Sequence, residues 1–329
     1  MPPQNQKEKI MARTSRSFGK SGNQEGKGKQ PAECVASAAG RMTALAALLL
    51  ALLSPFAASA EDLSARLFAA YEKNDVAAVR TLLTQGADVN ARKENGWTPL
   101  IFAAYDGRPE AAKLLLDNGA DVAASDKNGW TALMAASQQG HVNVARLLLE
   151  KGADINARNS DGATALMLAA QVGKVDVARF LAEKGADVNA KNSKGATALM
   201  AAAFSNNADC VHLLLEKGAD VNAKKNDGTT ALFGACFAGN MAVVTPLLEN
   251  GANVNTRHSN GMTALMGASL KGHVAAVKAL LAKGADADVR TYDGQKTALI
   301  FAEEKGHNEI KVLLKEHQRK KKAPRKKEK

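Results

Sequence analysis

The chain has 329 residues, with 44 Lys or Arg against 33 Asp or Glu, for a formal charge of +11. That length can bury a core without staples, and three cysteines do not make a disulfide framework. Residues 1–42 carry eight basic and three acidic side chains and residues 318–329 carry eight and one, leaving the body at 61–317 nearly neutral; the basic balance therefore belongs to the ends and does not mark the body as a nucleic-acid surface.

From the N-terminus, residues 1–40 are rich in Gly, Lys, Gln and Ser and show no apolar periodicity, the composition of a disordered leader. The stretch "RMTALAALLLALLSPFAASA" follows, with Arg41, an uncharged run from Thr43 to Leu53, and the small residues Ala58, Ser59 and Ala60. This is the three-part layout of a secretory signal, with cleavage expected before Glu61. The run is shorter than the roughly 20 apolar residues of a membrane span. An uncleaved membrane anchor is the alternative, and Met11 or Met42 could also start translation. The expected division is a leader plus signal at 1–60, a folded body at 61–317, and a basic disordered tail at 318–329.

The body repeats itself. Thr98, Thr131, Thr164, Thr197, Thr230 and Thr263 are spaced by 33 residues, and Thr297 follows after 34. A Gly closes each of the first six stretches 21 residues after its Thr, from Gly119 to Gly284. The segment from Leu63 aligns in the same frame without its Thr or internal Gly, which makes eight units with atypical ends. Charged Arg66, Glu72 and Lys73 at one end, and Glu303, Glu304, Lys305, Lys311, Lys315 and Glu316 at the other, suit terminal units that face water.

The local chemistry of one unit predicts two short helices and a turn. Thr131 is placed to cap the first helix, and Leu133 and Ala136 share one of its faces. Gly140 breaks it; Val144, Leu147 and Leu148 supply the 3.6-residue stripe of a second helix, and Gly152 stops that one. Asn74 and Asn206 stand where the internal Gly is missing, as residues that tolerate a left-handed backbone. "ADINARNSDG" is turn chemistry that should project as a hairpin finger. No unit has a core of its own, so the units must stack, and the fold class expected is an all-α repeat solenoid. Pro246, inside the second helix of the sixth unit, costs a backbone bond, and reads as a kink that packing tolerates or, alternatively, as a local hinge.

A 33-residue period built on Thr98-Pro99-Leu100, with "TAL" in the later units, resembles the ankyrin repeat over about residues 61–317. The His that usually follows TPL in that family is replaced by Ile101, Met134, Met167, Met200, Phe233, Met266 and Ile300. The resemblance implies a non-catalytic protein-binding scaffold whose contacts come from the finger tips and the exposed side of the first helix, together lining a concave face. Carried onto this chain, the slot before each Thr holds Trp97, Trp130, Ala163, Ala196, Thr229 and Met262. The variable pair after the first helix's core begins with Tyr105, Gln138, Gln171, Phe204, Phe237 and Leu270. Aromatic side chains are enriched as interface anchors, so the candidate partner-binding residues are Trp97, Trp130, Tyr105, Phe204 and Phe237. Since the fold accepts Ala163 and Ala196 in the Trp slot, the two indoles are expected side by side on the concave surface.

Other residues read as structural. Asp88, Asp121, Asp154, Asp187, Asp220 and Asp286 occupy one repeated slot, where identical surroundings cannot set two carboxylates apart for catalysis; turn hydrogen bonds explain them better. His141, His273 and His307 also share a slot, and no metal or nucleophile motif occurs. Neither catalytic residues, a cofactor nor a metal are therefore expected. Cys210 and Cys236 fall in core slots of adjacent units, as separate buried thiols or, if within reach, as a disulfide; Cys34 precedes the cleavage site. The basic tail lacks aromatics for base stacking, which argues against nucleic acid; it reads as a solvated tail, or else as a weak contact for anionic lipid, envelope polymer or an acidic protein. Signal and composition together point to a monomer in the bacterial periplasm that binds a protein partner.

Overall fold

The structure, a computed structural model, describes residues 60–322. The leader, the apolar run and the last seven residues lie outside the described residues. Within them 16 helices form eight consecutive pairs. The first helices of the pairs are α1 (Ala60–Glu72), α3 (Pro99–Tyr105), α5 (Ala132–Gln139), α7 (Ala165–Val172), α9 (Ala198–Phe204), α11 (Ala231–Ala238), α13 (Ala264–Lys271) and α15 (Ala298–Glu304). Their partners are α2 (Val76–Thr84), α4 (Pro109–Asp117), α6 (Val142–Glu150), α8 (Val175–Glu183), α10 (Ala208–Glu216), α12 (Met241–Glu249), α14 (Val274–Ala282) and α16 (Asn308–Lys322). Each first helix packs on its own partner and on the first helices before and after it; the second helices do the same. This is the expected all-α solenoid.

Each Thr starts its helix as the sequence implies. The Oγ1 of Thr131 accepts the N–H of Met134 at 3.3 Å, and that of Thr230 accepts Phe233 N–H at 3.1 Å. Such a cap is worth about 1 kcal/mol. Asn74 and Asn206 take positive φ, 56° and 60°. The core is one continuous column rather than eight small ones. In α5 and α6, Leu133, Met134, Ala136, Val144 and Leu148 are all buried in it, and truncating such a leucine to alanine costs about 2–5 kcal/mol.

The fingers are hairpin turns with little extended pairing; one isolated bridge, Ser125 with Thr131, is the only one among the described residues. Asn159 N–H donates to the Ala163 carbonyl at 3.1 Å to close one finger, and Ser160 N–H donates to Asn128 of the preceding finger at 2.9 Å. Side chains repeat the stitching. Asn189 Oδ1 accepts Asp220 N–H at 2.8 Å while its amide donates to Gly218 at 3.1 Å. The carboxylate of each GAD turn accepts a backbone N–H two residues on, as Asp187 does from Asn189. The shared His slot bridges units as well: Nε2–H of His141 donates to the Tyr105 carbonyl and that of His273 to Phe237, each at 3.1 Å.

Three details refine the sequence reading. The segment expected as tail from residue 318 is helical as far as Lys322, because α16 continues past the last unit. Gln318 and Lys321 reach back to the last closing turn, where Lys321 Nζ lies 3.0 Å from Asp286 and 3.4 Å from Asp288. Pro246 is buried inside α12, which keeps the nine-residue length of its equivalents. Cys210 and Cys236 are free buried thiols, pushed up to about 11 and about 12 by burial, helped at Cys210 by Asp209.

Candidate partner-binding face

The five aromatic candidates separate into two kinds. Trp97, Trp130 and Tyr105 are buried, at 3%, 4% and 8% exposure. This corrects the expectation of two exposed indoles. The Trp97 ring turns inward from its finger and meets Phe102 edge-on at 4.6 Å and Tyr105 at 5.4 Å. It fills the angle between finger and first helix of its own unit, which the apolar surface of an indole favours. Phe204 and Phe237, by contrast, are 46% and 37% exposed at the ends of α9 and α11.

Each exposed ring has a prepared seat. Gly234 and Gly267, buried in α11 and α13, are the only glycines inside helices among the described residues. A Cβ at Gly234 would stand 2.7 Å from Phe204 Cζ, so the ring lies against bare backbone. At Gly267 a Cβ would meet Phe237 Cδ2 at 3.5 Å, an ordinary contact. Lysines lie over the rings: Lys225 Nζ is 5.7 Å from the Phe204 centroid, and Lys271 Nζ 4.6 Å from that of Phe237. Phe237 also stacks on Phe233, which in turn stacks on the finger residue His258.

Between the buried indole and the first exposed ring the surface opens into a cavity of about 220 Å³. Trp130 forms one wall and Phe204 another; Ala163, Ala196 and Met167 line it, with Lys225 at its edge. Its lining comes from four successive fingers and from α7 and α9. The reason for the opening is legible residue by residue. In the units of Trp97 and Trp130 an indole occupies the space between finger and helix, whereas Ala163 and Ala196 leave it unfilled.

The fingers are also electrically distinct. The seven stretches between the repeat's closing turn and its Thr (92–97, 125–130, 158–163, 191–196, 224–229, 257–262 and 290–296) hold eleven Lys or Arg and five Asp or Glu. The rest of the body carries 17 basic and 24 acidic side chains. A near-neutral body is thus split into a basic finger edge and an acidic remainder. Sequence reading missed this because it summed the body as a whole; the signal was there once the charges were sorted by repeat position. It also missed Lys225, Phe233 and His258.

Among the described residues, no group of three or more His, Cys, Asp or Glu side chains could hold a metal ion, and no helix is long and apolar enough to cross a membrane. A family model described as "Ankyrin repeats (3 copies)" matches residues 67–159, 156–225 and 221–291. The chain belongs to the ankyrin-repeat family. Such repeats generally mediate protein–protein interaction, and proteins built from them are typically non-catalytic scaffolds. No curated protein matches the chain.

Proposed function

We propose that this protein is a non-catalytic interaction scaffold, exported to the bacterial periplasm, which binds a protein partner through its finger and first-helix face. The observation that carries the binding face is the pairing of exposed Phe204 and Phe237 with an open cavity on the same side of the repeat. Aromatic side chains are enriched among the anchors of protein interfaces. Export is supported by the Arg41 to Ala60 layout. In that compartment the basic end of the chain would meet anionic lipid or envelope polymer rather than nucleic acid.

Lysine-directed cross-linking in intact cells, read by mass spectrometry, tests both parts. Cross-links to one partner should start from finger lysines such as Lys191 and Lys224. The same digest should yield a mature N-terminus at or near Glu61. Partner cross-links confined to Lys184 and Lys278, on the second-helix side, would contradict the assigned face. An intact leader in the cytosol would contradict export.

A further inference from the structure

We infer that the cavity between Trp130 and Phe204 receives an aromatic side chain from an acidic segment of the partner. This rests on the partner-binding reading above and specifies the chemistry of what is bound. At about 220 Å³ the cavity is below the roughly 300–1,000 Å³ of pockets that enclose whole small molecules. It suits one large side chain presented from a backbone outside. Two of its walls are aromatic and the buried Met167 adds a thioether. Ring edges and sulfur both favour an aromatic guest over an aliphatic one of equal size.

The rim sets the charge of the flanking residues. The four fingers around the cavity carry Lys127, Arg158, Lys191, Lys194, Lys224 and Lys225 against Asp126, Asp161 and Asp227. Of the three carboxylates, Asp126 is buried and accepts the N–H groups of Asn128 and Trp130, Asp227 accepts Thr229 N–H at 2.9 Å and lies 3.8 Å from Lys225, and Asp161 lines the cavity itself. Arg158 donates to the Lys191 carbonyl, which fixes its charge at the rim. Lys191 and Lys224 are exposed. Carboxylates on either side of the inserted ring would face this surplus of positive charge, whereas lysines there would be repelled.

The repeat itself supplies the test. Ala163→Trp with Ala196→Trp places in the cavity the side chain that the fold holds at the equivalent positions 97 and 130. Three labelled peptides would be titrated against the full chain by fluorescence anisotropy: four Glu, one Phe, four Glu; the same with Ala for Phe; and the same with Lys for Glu. The Glu–Phe peptide should bind at least about tenfold more tightly than either control, and less tightly as salt rises. The filled variant should bind it no better than the Ala peptide. If filling the cavity disturbs the melting temperature, Phe204→Ala removes one wall instead and should give a similar loss. Equal binding of the Glu–Phe and Glu–Ala peptides, unchanged binding by the filled chain, or no binding at all would overturn the inference. Capture of the native partner keeps the two readings apart. Loss of capture with Phe204→Ala, Phe237→Ala but full capture by the filled variant would leave the face standing and remove the cavity's role.

Discussion

The ring of Phe204 rests on Gly234 across the boundary between the fifth and sixth units, at a distance that leaves no room for a methyl group. Nothing in the backbone demands glycine there, since Gly234 has no positive φ, and a helical glycine costs about 1 kcal/mol relative to alanine. The seat for the ring is the reason for it. Gly234→Ala should therefore leave stability within about 1 kcal/mol, the helix gain offsetting the displaced ring. The Phe204 aromatic NMR signals should move. At Gly267 the space is ordinary, and Gly267→Ala should stabilise by about 0.4–1 kcal/mol. Equal behaviour of the two variants would contradict the seat.

Trp97 belongs to the fold. Its ring is buried against Phe102 and Tyr105, so Trp97→Ala should cost about 3–5 kcal/mol. A chemical denaturation series would read this directly, and a loss below about 1 kcal/mol would mean that the ring is not packed as described.

Most of the architecture could be read before any coordinates. The Thr spacing set the helix starts, and Asn74 and Asn206 were recognisable as left-handed positions because few other residues adopt that backbone at low cost. The site was only half legible. Slot position says where a side chain leaves the chain but not which way its χ angles turn it, so Trp97 and Trp130 were placed outward when their rings turn in. The cavity depends on what Ala163 and Ala196 fail to fill, and only the packing of neighbouring units reveals that.

The Asn ladder along the closing turns is interrupted once. Asn90, Asn156, Asn189, Asn222 and Asn255 each accept a backbone N–H from the next unit, but the second position of the series is Ala123. Ala123→Asn should supply the missing bridge and raise stability by about 0.5–1.5 kcal/mol, with Asn189→Ala losing a similar amount. Thermal melts of the two variants should shift in opposite directions.

Acid should loosen the junction between the second and third units. Asp117 receives Lys113 at 2.5 Å and Lys151 of the next unit at 2.8 Å, and these bonds hold its pKa at about 2, below the usual 3.8. A carboxylate with a depressed folded-state pKa stabilises fully above its unfolded value and loses that contribution as pH falls toward the folded one. Lys321 lowers Asp286 in the same sense at the last closing turn. The melting temperature of wild type minus that of Lys151→Met should be largest above about pH 5 and shrink toward pH 2. A difference that stays constant over that range would show that the pair does not couple to folding.

The most direct test of the central claim is affinity capture from envelope extract with the Phe204→Ala, Phe237→Ala chain beside wild type. A second-helix control, His212→Ala with Lys278→Ala, alters exposed residues on the other side of the solenoid. Loss of an interface anchor costs at least about 2 kcal/mol, roughly 30-fold in affinity, whereas exposed substitutions elsewhere shift stability by less than about 0.5 kcal/mol. The account predicts that the principal partner is lost from the double Phe variant, retained by the control, and that both chains melt within a few degrees of wild type. Undiminished capture by the double Phe variant, or loss with the control alone, would contradict it.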